Sequence, residues 1–113
     1  MDVRSRLEED ERSTRQRRDS LSRDFSDVIA AASDVATDDE HDPEGSTIAY
    51  ERSKVAALVA QADAHLDDIR RALELLDAGT YGVCERCSAD IAEARLEARP
   101  VVRTCIDCAS SSR

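Results

Sequence analysis

All four cysteines of this 113-residue chain lie in its last third, as Cys84-x-x-Cys87 and Cys105-x-x-Cys108 with seventeen residues between the pairs. That spacing falls in the Cys-x-x-Cys, about 15 to 20 residues, Cys-x-x-Cys pattern of tetrahedral zinc sites. Each tight turn sets two thiolates on one side of an ion, and two turns complete four ligands at about 2.3 Å. Four sulfurs leave no open position for water, so the pattern predicts one structural Zn²⁺ and no Lewis-acid catalysis. An ion of this kind also answers a need set by length. A chain this short has room for one domain with a thin apolar core, and in small metal modules the binding free energy serves as folding free energy. Two other readings of the thiols stand beside this one, a thiol–disulfide exchanger and a redox-labile disulfide pair. An exchanger wants one Cys-x-x-Cys at a helix start within a βαβ frame, and this sequence has no such frame.

The rest of the chain is patterned for helix. Charged residues make up 36% and aromatics 3%, with three glycines and two prolines, a mixture that favours long helices over sheet. Ile48, Val55, Ala62, Ile69 and Leu76 are seven apart, and Val59, Leu66 and Leu73 fill the alternating gaps, which makes a heptad seam of four repeats. Ser46 or Thr47 is placed to cap its start, and Gly79 to close it in a left-handed conformation. An apolar stripe needs a partner, and Leu21, Phe25, Val28, Ala32 and Val35 repeat the spacing upstream. Farther back only Val3 and Leu7 continue it, with Glu11 and Arg18 at seam positions. Folding back near residue 40 brings Val3 and Leu7 beside Leu73 and Leu76. The predicted fold is therefore all-α: a long antiparallel helical hairpin, or coiled coil, over residues 1–79, followed by a small C4 zinc-finger module over 80–113 with a short helix and a short C-terminal tail. The same seams could zip two chains together, so a monomer is expected with a helix-mediated dimer as the alternative. Glu8 with Arg12, Glu11 with Arg15, Asp19 with Arg23 and Asp67 with Arg71 are acid-before-base pairs that support helix on solvated faces.

Between the arms, residues 34–47 hold six acids and no lysine or arginine, against a net charge of −9 for the whole chain. Asp42-Pro43 and Gly45 mark the turn, so the acidic cluster belongs at the far end of the hairpin. Such a cluster serves either as a soluble loop or as an acidic probe toward a hard cation or a basic cavity. His41 and His65 read as a solvated loop residue and a seam flank. The acidic balance opposes sequence-specific DNA binding, which relies on basic surface. No stretch approaches the about 20 apolar residues of a membrane span, and "MDVRSRLEEDERS" is too polar for a secretory signal, so a cytoplasmic protein is expected. No acid–base dyad, phosphate-cradling glycine loop or nucleophile–histidine pair is present, so the chain is not expected to be an enzyme.

With these residues laid out, the chain resembles the DksA/TraR family of bacterial C4 zinc-finger regulators. The resemblance rests on "YGVCERC" from Tyr81, on Ile91, on "RLEARP" from Arg95 to Pro100, and on "CIDC" from Cys105 to Cys108. It implies a transcription regulator that binds RNA polymerase without contacting promoter DNA. In the family the hairpin enters the secondary channel, its acidic tip acts near the catalytic Mg²⁺, and some members work with the alarmone ppGpp. Carried onto this sequence, the zinc ligands are Cys84, Cys87, Cys105 and Cys108, and the acting tip is Asp38, Asp39, Glu40, Asp42 and Glu44. Two positions depart from the family pattern. Asp39-x-x-Asp42 is followed by Pro43 and Glu44, without the alanine of Asp-x-x-Asp-x-Ala. Ser88 stands where family knuckles often have glycine, so the metal turn is expected to carry some strain. The alternatives to a polymerase regulator are a zinc-stabilised adaptor and a thiol redox sensor.

Overall fold

The structure is a computed structural model that describes residues 2–35 and 43–111, the side chains of 31–35 and 43–46 excepted. Four helices account for most of it: α1 (Val3–Val35), α2 (Pro43–Ala78), α3 (Glu93–Ala98) and α4 (Ile106–Ser111). Among the described residues there is no strand, only one isolated antiparallel bridge between Val83 and Asp90. The all-α class expected from composition is the class observed.

The ends of the long helices follow from local chemistry. Asp2 caps α1: its carboxylate accepts the Ser5 backbone N–H at 2.7 Å, while its carbonyl accepts from Arg6 at 3.1 Å. The bond from the Ser5 backbone holds the Asp2 carboxyl below its ordinary value. The second helix starts at Pro43, earlier than the Ser46 or Thr47 cap that the sequence suggested. Proline suits that first position, where its fixed φ is already helical and its missing N–H has no intrahelical partner. At the other end Gly79 (φ 76°) donates to Leu76 O at 3.2 Å and Thr80 to Leu75 O at 2.9 Å. These paired bonds form a Schellman close, and they need the left-handed residue that the sequence placed there.

By internal contacts the chain divides into two compact units, Met1–Arg12 with Leu66–Arg113, and Ser13–His65. In the first, the start of α1 lies antiparallel to the end of α2, with Arg4 Nη2 on Asp77 Oδ1 at 2.6 Å. Buried Leu7, Ile69 and Ala72 form its centre, and Val3, Leu73, Leu76, Tyr81 and Val101 pack around them. This is the pairing of Val3 and Leu7 with Leu73 and Leu76 that folding back near residue 40 requires. Tyr81 and Val101 carry the same core into the cysteine-bearing segment.

In the second unit α1 and α2 again run antiparallel, with the Arg18 guanidinium on the Asp63 carboxylate. That ion pair lets an arginine occupy a seam position. Thr14 and Ala62 are buried here, while Leu21, Phe25, Ile48, Val55 and Val59 are half-buried. One seam residue differs from expectation, since Val28 is 49% exposed and Ile29 takes the inner position. A straight helix turns every 3.6 residues, so a strict 3.5-residue reading drifts by about 20° per heptad and eventually selects the neighbour.

Candidate metal centre

The cysteine pairs sit on two knuckles in the first unit. The first is a tight hairpin held by Cys84 N–H to Ala89 O at 2.8 Å, Ile91 N–H to Gly82 O at 2.8 Å and Ser88 N–H to Cys84 O at 3.0 Å. To close it, Ser88 adopts φ 64°, a left-handed conformation that a side chain disfavours. The strain expected from serine at this position is therefore present. The second knuckle leads into α4, which carries Cys108 and starts with the Ala109 N–H to Cys105 O bond at 3.0 Å. The stretch expected as a plain tail is thus helical to Ser111.

The four Sγ atoms lie within 4.8 Å of one another. Cys87 Sγ and Cys105 Sγ are 3.7 Å apart, far beyond the about 2.05 Å of a disulfide. A tetrahedral ion with sulfurs at about 2.3 Å requires S···S edges of about 3.75 Å, so the separation fits zinc. Cys84 is buried and Cys87 exposed, with Cys105 and Cys108 between. Burial alone would raise the Cys84 thiol, but backbone hydrogen bonds from Cys105, Cys87 and Arg86 bring it down to about 6. The Arg86 N–H approaches Cys84 Sγ at 3.4 Å. For Cys87 the Ala89 N–H favours the thiolate, but bonds with the Cys84 and Cys105 thiols leave it raised. Cys108 is pushed up to about 12, first by Cys105 and then by Cys84 and Cys87. Cys87 and Cys108 thus hold on to their protons, and a dication is what stabilises such crowded sulfurs as thiolates.

Around the sulfurs, the residues of the two flanking motifs fit together. The Tyr81 hydroxyl donates to Pro100 O at 2.8 Å, and burial raises the phenol above its ordinary value. Gly82 (φ 91°) faces Leu96, whose Cδ1 lies 3.3 Å from where a Cβ would stand. Arg95 Nε donates to Thr104 O at 2.9 Å, and Arg6 Nη2 to Glu97 O at 2.9 Å. Ile91 is buried, and α3 spans the loop between knuckles, as the space between the cysteine pairs suggested. The Tyr-Gly dipeptide and the Arg-Leu-Glu-Ala-Arg-Pro run are therefore two sides of one packed joint.

That joint is also where the likeness to known proteins is concentrated. Residues 79–112 match the family described as the prokaryotic dksA/traR C4-type zinc finger. Across 96% of this chain and 78% of the other, the fold superimposes on transcription factor DksA2 from Pseudomonas aeruginosa, with a TM-score of 0.78 and 25% identity. Its zinc finger belongs to the DksA/TraR family. Its four cysteines are accordingly the ligands of one structural Zn²⁺. Two uncharacterized proteins share sequence with this chain. YteA of Bacillus subtilis (strain 168) is 39% identical over 72 residues, and a protein of Aquifex aeolicus (strain VF5) is 52% identical over 46. The matches cover 64% and 41% of this chain but 30% and 32% of those proteins, so the chain spans about a third of their length.

Most of the expected tip is not among the described residues. Asp38, Asp39, Glu40 and Asp42, with His41, lie outside the described residues. Glu44 falls in the first turn of α2, and its side chain too lies outside them. Among the described residues no helix is long and apolar enough to cross a membrane.

Proposed function

We propose that this chain is a cytoplasmic transcription regulator that acts on RNA polymerase rather than on DNA. The paired arms of α1 and α2 enter the secondary channel, and Asp38, Asp39, Glu40, Asp42 and Glu44 act near the catalytic Mg²⁺ to modulate initiation. The observation that carries this reading is the likeness to DksA2 over nearly the whole chain, hairpin as well as zinc finger. The charge distribution supports it, since six of the acids are gathered in 34–47 and the chain is at −9. Carboxylates gathered in this way suit a hard cation or its water shell, and the acidic balance suits a protein partner better than a phosphate backbone. The zinc holds the base of the arms and takes no part in chemistry, because its four positions are filled by sulfur. Work with ppGpp at the polymerase interface belongs to the same proposal.

The test is co-purification with RNA polymerase at micromolar concentration, together with run-off transcription across a titration of the protein. Binding with a dose-dependent change in transcript yield supports the reading, and absence of binding counts against it. Reversing charge at Asp39 and Asp42 should abolish the effect on transcription and leave zinc content and helicity unchanged. An undiminished effect would refute the role given to these acids, and a loss only on substituting exposed helix flanks would favour a general adaptor.

A further inference from the structure

One feature of the first unit serves neither the metal shell nor the acidic stretch of 34–47. Arg103 sets Nε and Nη2 on Asp68 Oδ1 of α2 at 2.9 and 2.6 Å, across 35 residues of sequence. Its Nη1 lies 3.8 Å from Glu85 Oε2, and the same Glu85 oxygen is 3.6 Å from Arg71 Nη2, also on α2. The four charges alternate in sign and are only about one-third exposed, so they are less screened than an open surface pair. The bond with Asp68 raises the Arg103 guanidinium further still.

The two inner members of this chain are set by the knuckles. Glu85 follows the ligand Cys84 directly, and Arg103 precedes the ligand Cys105 by two residues. Their backbones are joined, Glu85 N–H to Arg103 O at 2.9 Å. Whatever brings the first cysteine pair to the second therefore also brings Glu85 to Arg103 and aims the guanidinium at Asp68.

We infer that Asp68, Arg71, Glu85 and Arg103 form a metal-dependent clamp, in which loading the four-cysteine site fastens the zinc module to the end of α2. Without the ion the knuckles lose their common anchor, Glu85 and Arg103 separate, and the grip on α2 loosens. Linkage makes the effect mutual: a clamp that zinc tightens must tighten zinc by the same factor. The end of α2 thereby reports the metal state of a site that its own residues do not ligate.

The experiment compares wild type, Asp68→Asn and the charge-swapped double variant Asp68→Arg with Arg103→Asp, each zinc-loaded and after chelation. Two quantities are read: amide exchange over 66–78, and zinc affinity by competition with a chromophoric chelator. In loaded protein Asp68→Asn should speed exchange over 66–78 by about tenfold, the scale of one charge-assisted hydrogen bond. It should weaken zinc binding by the same factor, and the swapped pair should restore only part of both, since it remakes the contact between positions 68 and 103 but sets a second carboxylate beside Glu85. After chelation Asp68→Asn should add nothing. Equal acceleration with and without zinc would overturn the clamp's dependence on metal. Unchanged zinc affinity in Asp68→Asn would do the same even if the chelated module melts, and unchanged exchange in loaded protein would overturn the clamp itself.

Discussion

Ser88 carries a positive φ that glycine would adopt without penalty. Ser88→Gly removes a left-handed cost of about 1–2 kcal/mol and returns part of it as unfolded-chain entropy, so a net gain of about 0.5–1 kcal/mol is expected. Thermal melting of zinc-loaded protein should show the rise in Tm. Gly82→Ala has the opposite sign, because φ 91° strains any side chain and the new methyl presses on Leu96. The cysteines set the pH response. Cys108, pushed up to about 12, is a thiol before metal arrives and surrenders its proton to bind. Cys84, lowered to about 6, is already a thiolate at neutral pH. Zinc retention should fall as pH drops and should steepen below about 6, where Cys84 also takes a proton, as read with a colorimetric zinc indicator between pH 8 and 5. Metal release at higher pH than at lower would contradict this assignment. The four ligands were legible because two Cys-x-x-Cys pairs at this spacing have few other uses. Thr14 was not, although it shares the seven-residue register of Leu7 and Leu21 and is fully buried, because a search for apolar residues passes over a hydroxyl.

At the scale of elements, the seam of α2 could be read nearly in full, since Ala62, Leu66 and Ile69 are buried and recur at helical spacing; Ala72, buried beside the expected Leu73, was not read. On α1 the reading slipped at Val28, where two adjacent apolar residues competed and helical drift decided for Ile29. Local charge patterning had less reach. Asp67 accepts from Arg70 at 3.2 Å, and Arg71 turns to Glu85 instead of to Asp67. A neighbour four residues away on a helix is one choice among several, and exposed pairs differ by only tenths of a kcal/mol. The contact between Tyr81 and Pro100 was equally hidden, because a sequence does not say which carbonyl a phenol will find. Tyr81→Phe should cost about 1 kcal/mol in stability by leaving that carbonyl unpaired, with zinc content unchanged. Ile69→Ala, at a fully buried position, should cost about 2–5 kcal/mol by chemical denaturation. A cost below 1 kcal/mol would mean that the first unit is not built around that side chain.

At the scale of the molecule, zinc, seam and charge divide the work of a chain too short to rely on an apolar core alone. The zinc joint and the antiparallel arms were foreseeable, one from cysteine spacing and the other from periodicity. What the acids of 34–47 do was not, since six carboxylates within fourteen residues are as consistent with solubility as with a target. Their assignment rests on the family and on the proposal that the chain works inside RNA polymerase. Replacing the catalytic Mg²⁺ of the polymerase with Fe²⁺, and generating hydroxyl radicals there, tests it directly, because cleavage marks only the chain segments close to that ion. The account predicts cuts confined to residues 36–44, lost when excess Mg²⁺ displaces the iron. Cuts in the zinc module, or none in a complex shown to be bound, would contradict it.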